Sequence, residues 1–420
     1  MTAVNALPPP TRSGRGLVAP DETPASPRTV AAPLRLSTGQ TVTVAAAWMV
    51  VLTAVQTRHA TKTSWHFFAM ASRLVFGRAP AREGGGLAVY AVHPKLQFGP
   101  FSIVVAQALR IVSFGHGAVA ATLLMGAMAP MLLWFVLDAR RATTPAHPNL
   151  RLAPALAAAL VLPAVWTFLS VYSLHLDDAL AVTLAVAALW GVAKRSDLVV
   201  GISLGLAVAS KPWALAFLPL VLALPAGRRR RAGGLAIGIP TLLWSPFLLG
   251  AAGTASALSH FTIRNAPDSA LRALGVANPV TPSWDRAAQV VIGAAAAAWC
   301  ACTGRWPAVF MAAMAVRLAL DPGTHRYYTA GIVVFVLVWE LLSRRWTVPV
   351  VSIATALALQ LPHDRHWPSA EAGAVRLATF LVVLALALVI SGPTPTDADP
   401  DEWAPDQSDR DHRALEPATR

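Results

Sequence analysis

Apolar residues fall along this chain in long blocks, broken by short polar stretches. The blocks lie near 38–57, 98–114, 116–137, 152–171, 178–193, 197–210, 212–226, 232–250, 287–303, 306–320, 327–342, 346–361 and 372–392. About 20 such residues cross the hydrocarbon core of a bilayer as a helix. Repeated hairpin alternation is absent, and Ala and Leu dominate, which argues against a porin-like barrel. The expected fold class is all-α: a polytopic membrane protein with about 12–13 transmembrane helices. No such block occurs in 1–37 or 393–420. Their Pro-, Ser- and charge-rich composition predicts a disordered cytoplasmic N-terminus and a disordered acidic C-terminal tail around a transmembrane domain of 38–392.

Composition agrees with that pattern. Of 420 residues, 55% are hydrophobic and only 13% charged, with a mean hydropathy of +0.53; soluble domains carry roughly 25% charge. The net charge of +13 would suggest nucleic acid in a soluble protein. Here the basic residues concentrate between apolar blocks, so anionic membrane lipids are the expected partners and nucleic acid is not. The two cysteines, Cys300 and Cys302, share one predicted helix and imply neither a disulfide framework nor a metal site.

The short basic clusters orient the blocks. Arg140-Arg141, Lys194-Arg195, Arg228 to Arg231 and Arg344-Arg345 should be cytoplasmic. The turns at 171–178 and 210–213 and the segments 251–286, 321–326 and 362–371 then share the extracytoplasmic face. The C-terminus is expected in the cytoplasm. A cytoplasmic N-terminus and thirteen full crossings would put Arg140-Arg141 outside, so one of the runs 98–114 and 116–137 should fall short, unless the N-terminus is outside. Gly99-Pro100, Gly115 and Gly117 favour the first option. Between the first two blocks, 65–76 reads as an amphipathic helix lying in the membrane interface.

Costly polar residues mark where chemistry could sit. His175-Leu176-Asp177-Asp178 interrupts two apolar blocks. One Asp there could cap a helix, but two leave a carboxylate to hold a divalent cation or act as general base. Lys211, beside Pro212-Trp213, could snorkel or contact a phosphate. Arg317 and Asp321 have the spacing of a helical ion pair, and His325, Arg326, Tyr327 and Tyr328 follow as a plausible pocket rim. In the segment 251–286, Arg264 is a candidate phosphate ligand, while Ser283-Trp284-Asp285-Arg286 reads as ordinary loop. His363 to His366 reads as a surface loop. No phosphate-binding glycine loop or zinc motif occurs.

Ser64-Trp65-His66-Phe67-Phe68, Leu87-Ala88-Val89-Tyr90 and His93-Pro94 form a first loop ahead of many spans. With His175-Leu176-Asp177-Asp178, and Gly201 to Gly205 leading to Lys211-Pro212, this arrangement resembles the GT-C superfold of integral-membrane glycosyltransferases. Within it the chain resembles glycosyltransferase family 87, the polyprenyl-phosphate-mannose-dependent mannosyltransferases, over roughly 40–390. The resemblance implies a polyprenyl-phosphate sugar donor, inverting transfer to a lipid or cell-wall glycan acceptor, and one carboxylate as general base. In the family that base is an aspartate in the first loop, where this chain has Ser64; the only acid of the loop is Glu83. The base is then expected at Asp177, Asp178 or Glu83, with His66 as a neutral alternative. Of these Asp177 or Asp178 is preferred, as base or cation ligand, and Lys211, Arg326 and Arg264 are the expected donor-phosphate ligands. Trp65, His66, His175, Asp321, His325 and Tyr327 are expected to line the substrate. The competing expectations are a lipid or solute transporter, with Arg110, Arg317, Glu340 and Arg376 on its path, and a catalytically inactive accessory protein.

Overall fold

The computed structural model describes residues 34–59, 63–143, 150–343 and 348–390. The chain divides into two units, Met1–Leu34 and Arg35–Arg420, and the second is an all-α bundle. Its helices are α1 (Thr38–Gln56), α2 (Thr63–Phe76), the single turn α3 (Val89–Val92), α4 (Pro100–Val112), α5 (Gly117–Thr143), α6 (Leu152–Thr167), α7 (Leu176–Ala193) and α8 (Asp197–Ser210). After the 3-10 segment Pro212–Ala223 come α9 (Ala226–Gly250), the short α10 (Thr254–Ser259) and α11 (Ala270–Ala273), α12 (Asp285–Cys302), α13 (Val309–Ala319), α14 (Arg326–Ser343), α15 (Val350–Asp364) and α16 (Ser369–Val389). Each of the thirteen apolar blocks has become one helical element. Seven of these, α1, α5, α6 with its extension to Tyr172, α7, α9, α14 and α16, are long and apolar enough to span a membrane.

The start of the bundle is tied together by short elements. β1 (Arg35–Leu36) pairs antiparallel with β2 (Leu150–Arg151), so α1 and α6 begin side by side. Ser37, expected in the disordered leader, instead caps α1: its Oγ accepts from the Gln40 amide at 3.2 Å, while Gln40 Oε1 accepts from the Ser37 amide at 2.9 Å. Arg35 and Leu36, also expected in the leader, form β1 instead; residues 1–33, the tail and Arg344-Arg345 lie outside the described residues. α4 is only about 20 Å long, short of the roughly 30 Å core, and it is fastened to α2. Phe98, just ahead of α4, stacks on Phe68 at 4.4 Å, and Arg110 donates to Ser72 at 3.0 Å. By length the run 98–114 falls short of a full crossing, as do α8 and α13.

The two ends of the bundle differ in chemistry. At one end Lys194 meets Asp138 at 2.8 Å, Arg231 meets Asp197 at 3.7 Å, and Arg140 reaches the Leu341 carbonyl. The basic clusters at 140–141, 194–195 and 228–231 thus gather together. The opposite end holds the starts of α7, α12 and α14 and the ends of α8 and α13, where the site lies. α7 and α14 are enclosed by the other helices, whereas Val50, Leu242, Val382 and Val389 on the outer elements are exposed, as a lipid-facing surface would be. On α8, Gly201 and Gly205 let α9 approach closely: a Cβ at Gly201 would sit 2.7 Å from the Ala232 carbonyl oxygen.

Candidate functional site

The chain enters the site through an abrupt change of backbone. α6 loosens into a π-helical turn, Phe168–Tyr172, and buried Leu174 takes a left-handed conformation at φ +52. Strain of this kind at a non-glycine residue is held only where the surroundings enforce it. The turn delivers His175 as the residue preceding α7, with no side-chain cap, and puts Asp177 and Asp178 in the first helical turn. Neither aspartate is the cap residue, so the bland explanation for the pair does not apply.

The carboxylates are met instead by Lys211. Its Nζ bonds Asp177 Oδ2 and lies 3.4 Å from Asp178 Oδ2, while Trp213 Nε1 donates to Asp178 Oδ1 at 3.1 Å. Asp177 is 1% exposed and Asp178 6%, so this is a buried cluster with its own cation. Lys211 is extended, between α8 and the 3-10 segment. Its position is set by the Ser210 carbonyl, which accepts from the Gly99 amide at 2.7 Å and from Ser102 Oγ at 3.2 Å. A Cβ at Gly99 would lie 2.0 Å from the Ala209 carbonyl oxygen. Gly99→Ala is therefore expected to push α4 from α8, displace Lys211, and lower the thermal midpoint in detergent; an unchanged midpoint would refute this.

His175 Nδ1 stands 3.6 Å from Asp177 Oδ1 and 3.5 Å from Asp178 Oδ2, and its ring stacks on Tyr327 at 3.6 Å between centroids. Tyr327 in turn stacks on His325 at 5.2 Å. Burial, then the neighbouring His175, lowers the pKa of His325. Among the described residues, His175, Asp177 and Asp178 could place ligand atoms within 4.8 Å of one another around a divalent cation. Lys211 already supplies positive charge there, so an ion would have to share the carboxylates with it.

These groups border a cavity of about 720 Å³. Of the expected residues, His175, Asp177, Lys211, His325, Arg326 and Tyr327 line it. Asp178 stands behind Asp177. Lys211 is bound to the aspartates rather than open to a phosphate, and Arg326 pairs with Asp364. Three expected residues are elsewhere. Trp65 packs beside Gly117, His66 is exposed, and Arg264 borders a separate hollow of about 400 Å³. From the same first loop the cavity takes Ser64, Phe67, Phe68, Lys95 and Gln97 instead, because the helical turn of α2 rotates Trp65 and His66 away.

A smaller annex of about 230 Å³ shares Gln97, Lys211 and Tyr328 with this cavity. In it the expected ion pair forms, Arg317 to Asp321 at 3.1 Å, and Asp321 also accepts from the Gly323 amide at 2.7 Å. The annex contains Asp285 and Arg286, which the sequence reads as loop, and Gln289 from the apolar block 287–303; the place of all three on the opening turns of α12 is the signal that joins them. Beyond it runs an apolar groove of about 570 Å³, walled by Leu215, Leu218, Ile237, Pro240, Trp244 and Leu248 among others. Gln97, Pro212, Leu215 and Arg286 belong to both annex and groove, and Arg286 donates to Gln97 at 2.6 Å.

Burial, with the nearby Asp321 charge, pushes the Asp285 carboxyl up to about 7 from an ordinary 3.8. The folded state therefore holds this proton through a range where the unfolded chain has released it. Asp285 then contributes most to stability below about pH 4, and that contribution is lost as pH rises towards 7. Asp285→Asn should remove this share of the decline, read as a flatter plot of thermal midpoint against pH; an unchanged slope would count against it.

Of the four residues expected on a transport path, Arg110, Glu340 and Arg376 are satisfied locally, while Arg317 pairs with Asp321 but keeps an open Nε–H. Arg110 bonds Ser72 and Gln107, and Arg376 bonds Asp268. Glu340 accepts from the Val351 and Ser352 amides at 2.7 and 2.9 Å, closing the start of α15. Comparison of the chain with known protein families, curated proteins and solved structures found no match.

Proposed function

We propose that this protein is a membrane glycosyltransferase of GT-C type. It moves a mannose-like sugar from a polyprenyl phosphate to a lipid or cell-wall glycan on the extracytoplasmic side of the cell membrane. One observation carries the reading. A cavity of mixed aromatic and charged lining with a buried acid centre continues through an annex holding two acids and two arginines into an apolar groove. That sequence of environments matches an amphiphile with a hydrocarbon tail, a phosphate and a sugar.

In this reading the isoprenoid chain lies along the groove. Arg286, at the mouth shared by groove and annex, takes the phosphate role expected of Arg264, and Lys95 and Arg326 add positive charge on the cavity side. The acceptor approaches from the larger cavity. As its hydroxyl oxygen bonds to the anomeric carbon, the proton passes to Asp177 Oδ1, which accepts no hydrogen bond. The anomeric carbon–oxygen bond to phosphate breaks and the polyprenyl phosphate leaves, its charge met by Arg286.

The test is the lipid that accompanies the protein. Mass spectrometry of protein purified in mild detergent should find a polyprenyl phosphate, depleted in a Leu215→Arg variant that puts a charge into the groove. Bulk phospholipid alone, at equal levels in both proteins, would overturn the reading.

A further inference from the structure

The annex contains two polar atoms that no described residue satisfies. Asp285 is fully buried; its Oδ2 accepts from Gln289 Nε2 at 2.9 Å, but Oδ1 has no hydrogen-bond partner. Across the same space the Nε–H of Arg317, a residue 7% exposed, is also unpartnered. A buried acceptor and a buried donor left open in one small cavity are expensive to keep, and such groups usually have a ligand. Asp321 is not in this position, since Arg317 and the Gly323 amide occupy its two oxygens.

What would fit is constrained by charge and size. Asp321 pairs with Arg317, burial favours the neutral form of Asp285, and Lys211 is committed to Asp177 and Asp178, which leaves Arg286 for the phosphate at the mouth. A net charge on the part of the ligand inside the annex is therefore not called for. An open acceptor facing an open donor suits a hydroxyl, which gives one hydrogen bond and takes another. Trp213 and Tyr328, which flank Arg317 at 5.0 and 5.1 Å, present aromatic surface of the kind that packs against the C–H face of a sugar ring. About 230 Å³ leaves room for a single ring.

We propose that the annex is a monosaccharide subsite in which Asp285 Oδ1 and Arg317 Nε read the hydroxyls of the sugar that is transferred. The inference rests on the transferase reading in one respect. A lipid tail in the groove, with its phosphate at Arg286, puts the attached sugar in the annex, since Arg286 borders both. Asp285 is then a specificity residue that touches the donor sugar, while proton transfer stays with Asp177.

The full-length protein in nanodiscs allows a test that needs no turnover. Methyl α-mannopyranoside and methyl α-glucopyranoside, titrated against it, should give saturation-transfer NMR signals for at least one glycoside. Asp285→Asn and Arg317→Lys should each weaken that binding by about tenfold or more. The lysine keeps the charge but lacks the Nε–H, and thermal midpoints confirm that both variants are folded. Lys194→Met, at the other end of the bundle, should leave glycoside binding unchanged. No binding to the wild-type protein, or equal binding to both annex variants, overturns the proposal. In transfer assays Asp285→Asn should raise KM for the polyprenyl-phosphate sugar with little change in KM for the acceptor; the reverse split would overturn the donor assignment. Glycoside binding without any transfer would overturn the enzyme reading while leaving the subsite intact.

Discussion

Asp177→Asn is expected to lower sugar transfer by about 10²–10⁴-fold, the range over which a positioned proton acceptor acts. The asparagine keeps the size of the side chain and can still accept from Lys211, so the cavity should survive while the base is lost. Asp178→Asn is expected to have the smaller effect, because Asp178 does not border the cavity and one of its oxygens is held by Trp213 at 3.1 Å. The ordering matters more than either value. Initial rates with a radiolabelled polyprenyl-phosphate sugar, normalised to folded protein, measure it. Full transfer by Asp177→Asn would remove the catalytic assignment, and a larger loss in Asp178→Asn would move it to the second carboxylate.

Lys211→Met should destabilise the protein by about 3–5 kcal/mol, because it leaves two buried carboxylates without their cation. Burial decides the size. At the other end of the bundle Lys194 and Asp138 also pair, at 2.8 Å, but Lys194 is 38% exposed; Lys194→Met should cost about 1 kcal/mol or less. Combining Lys211→Met with Asp177→Asn and Asp178→Asn should recover most of the loss, since no unpaired charge then remains. Denaturant unfolding in a fixed detergent, followed by tryptophan fluorescence, measures all three. A Lys211→Met protein as stable as wild type would mean that water or another group compensates the aspartates.

Much of the architecture was readable because long apolar blocks have few ways to satisfy their backbone in lipid, and the helix is the local one. Gly99-Pro100 marks where α4 begins and Lys211-Pro212 where α8 ends. The Arg317–Asp321 pair was readable because four residues make one helical turn. The convergence of 175–178, 211 and 321–328 followed from counting crossings. The contacts within that end were not readable, because they join residues far apart in sequence: Gln97 meets Arg286, and Lys211 meets Asp177. Trp65 and His66 were misjudged because a one-residue difference on α2 turns a side chain by about 100°. Asp285 was missed for a different reason. Its environment comes from α13, the 3-10 segment and the loop before α14, none of which its own neighbours foretell.

The strand pair that starts α1 and α6 also bears on how the protein is made. Arg35–Leu36 waits for Leu150–Arg151, so the first helix enters the membrane before its lateral partner exists, while α2 to α5 are still being synthesised. Non-local pairings of this kind close slowly. Release of Leu150 from the ribosome then becomes the earliest moment at which the strand pair can close, and truncations ending before it should leave α1 held by α5 alone.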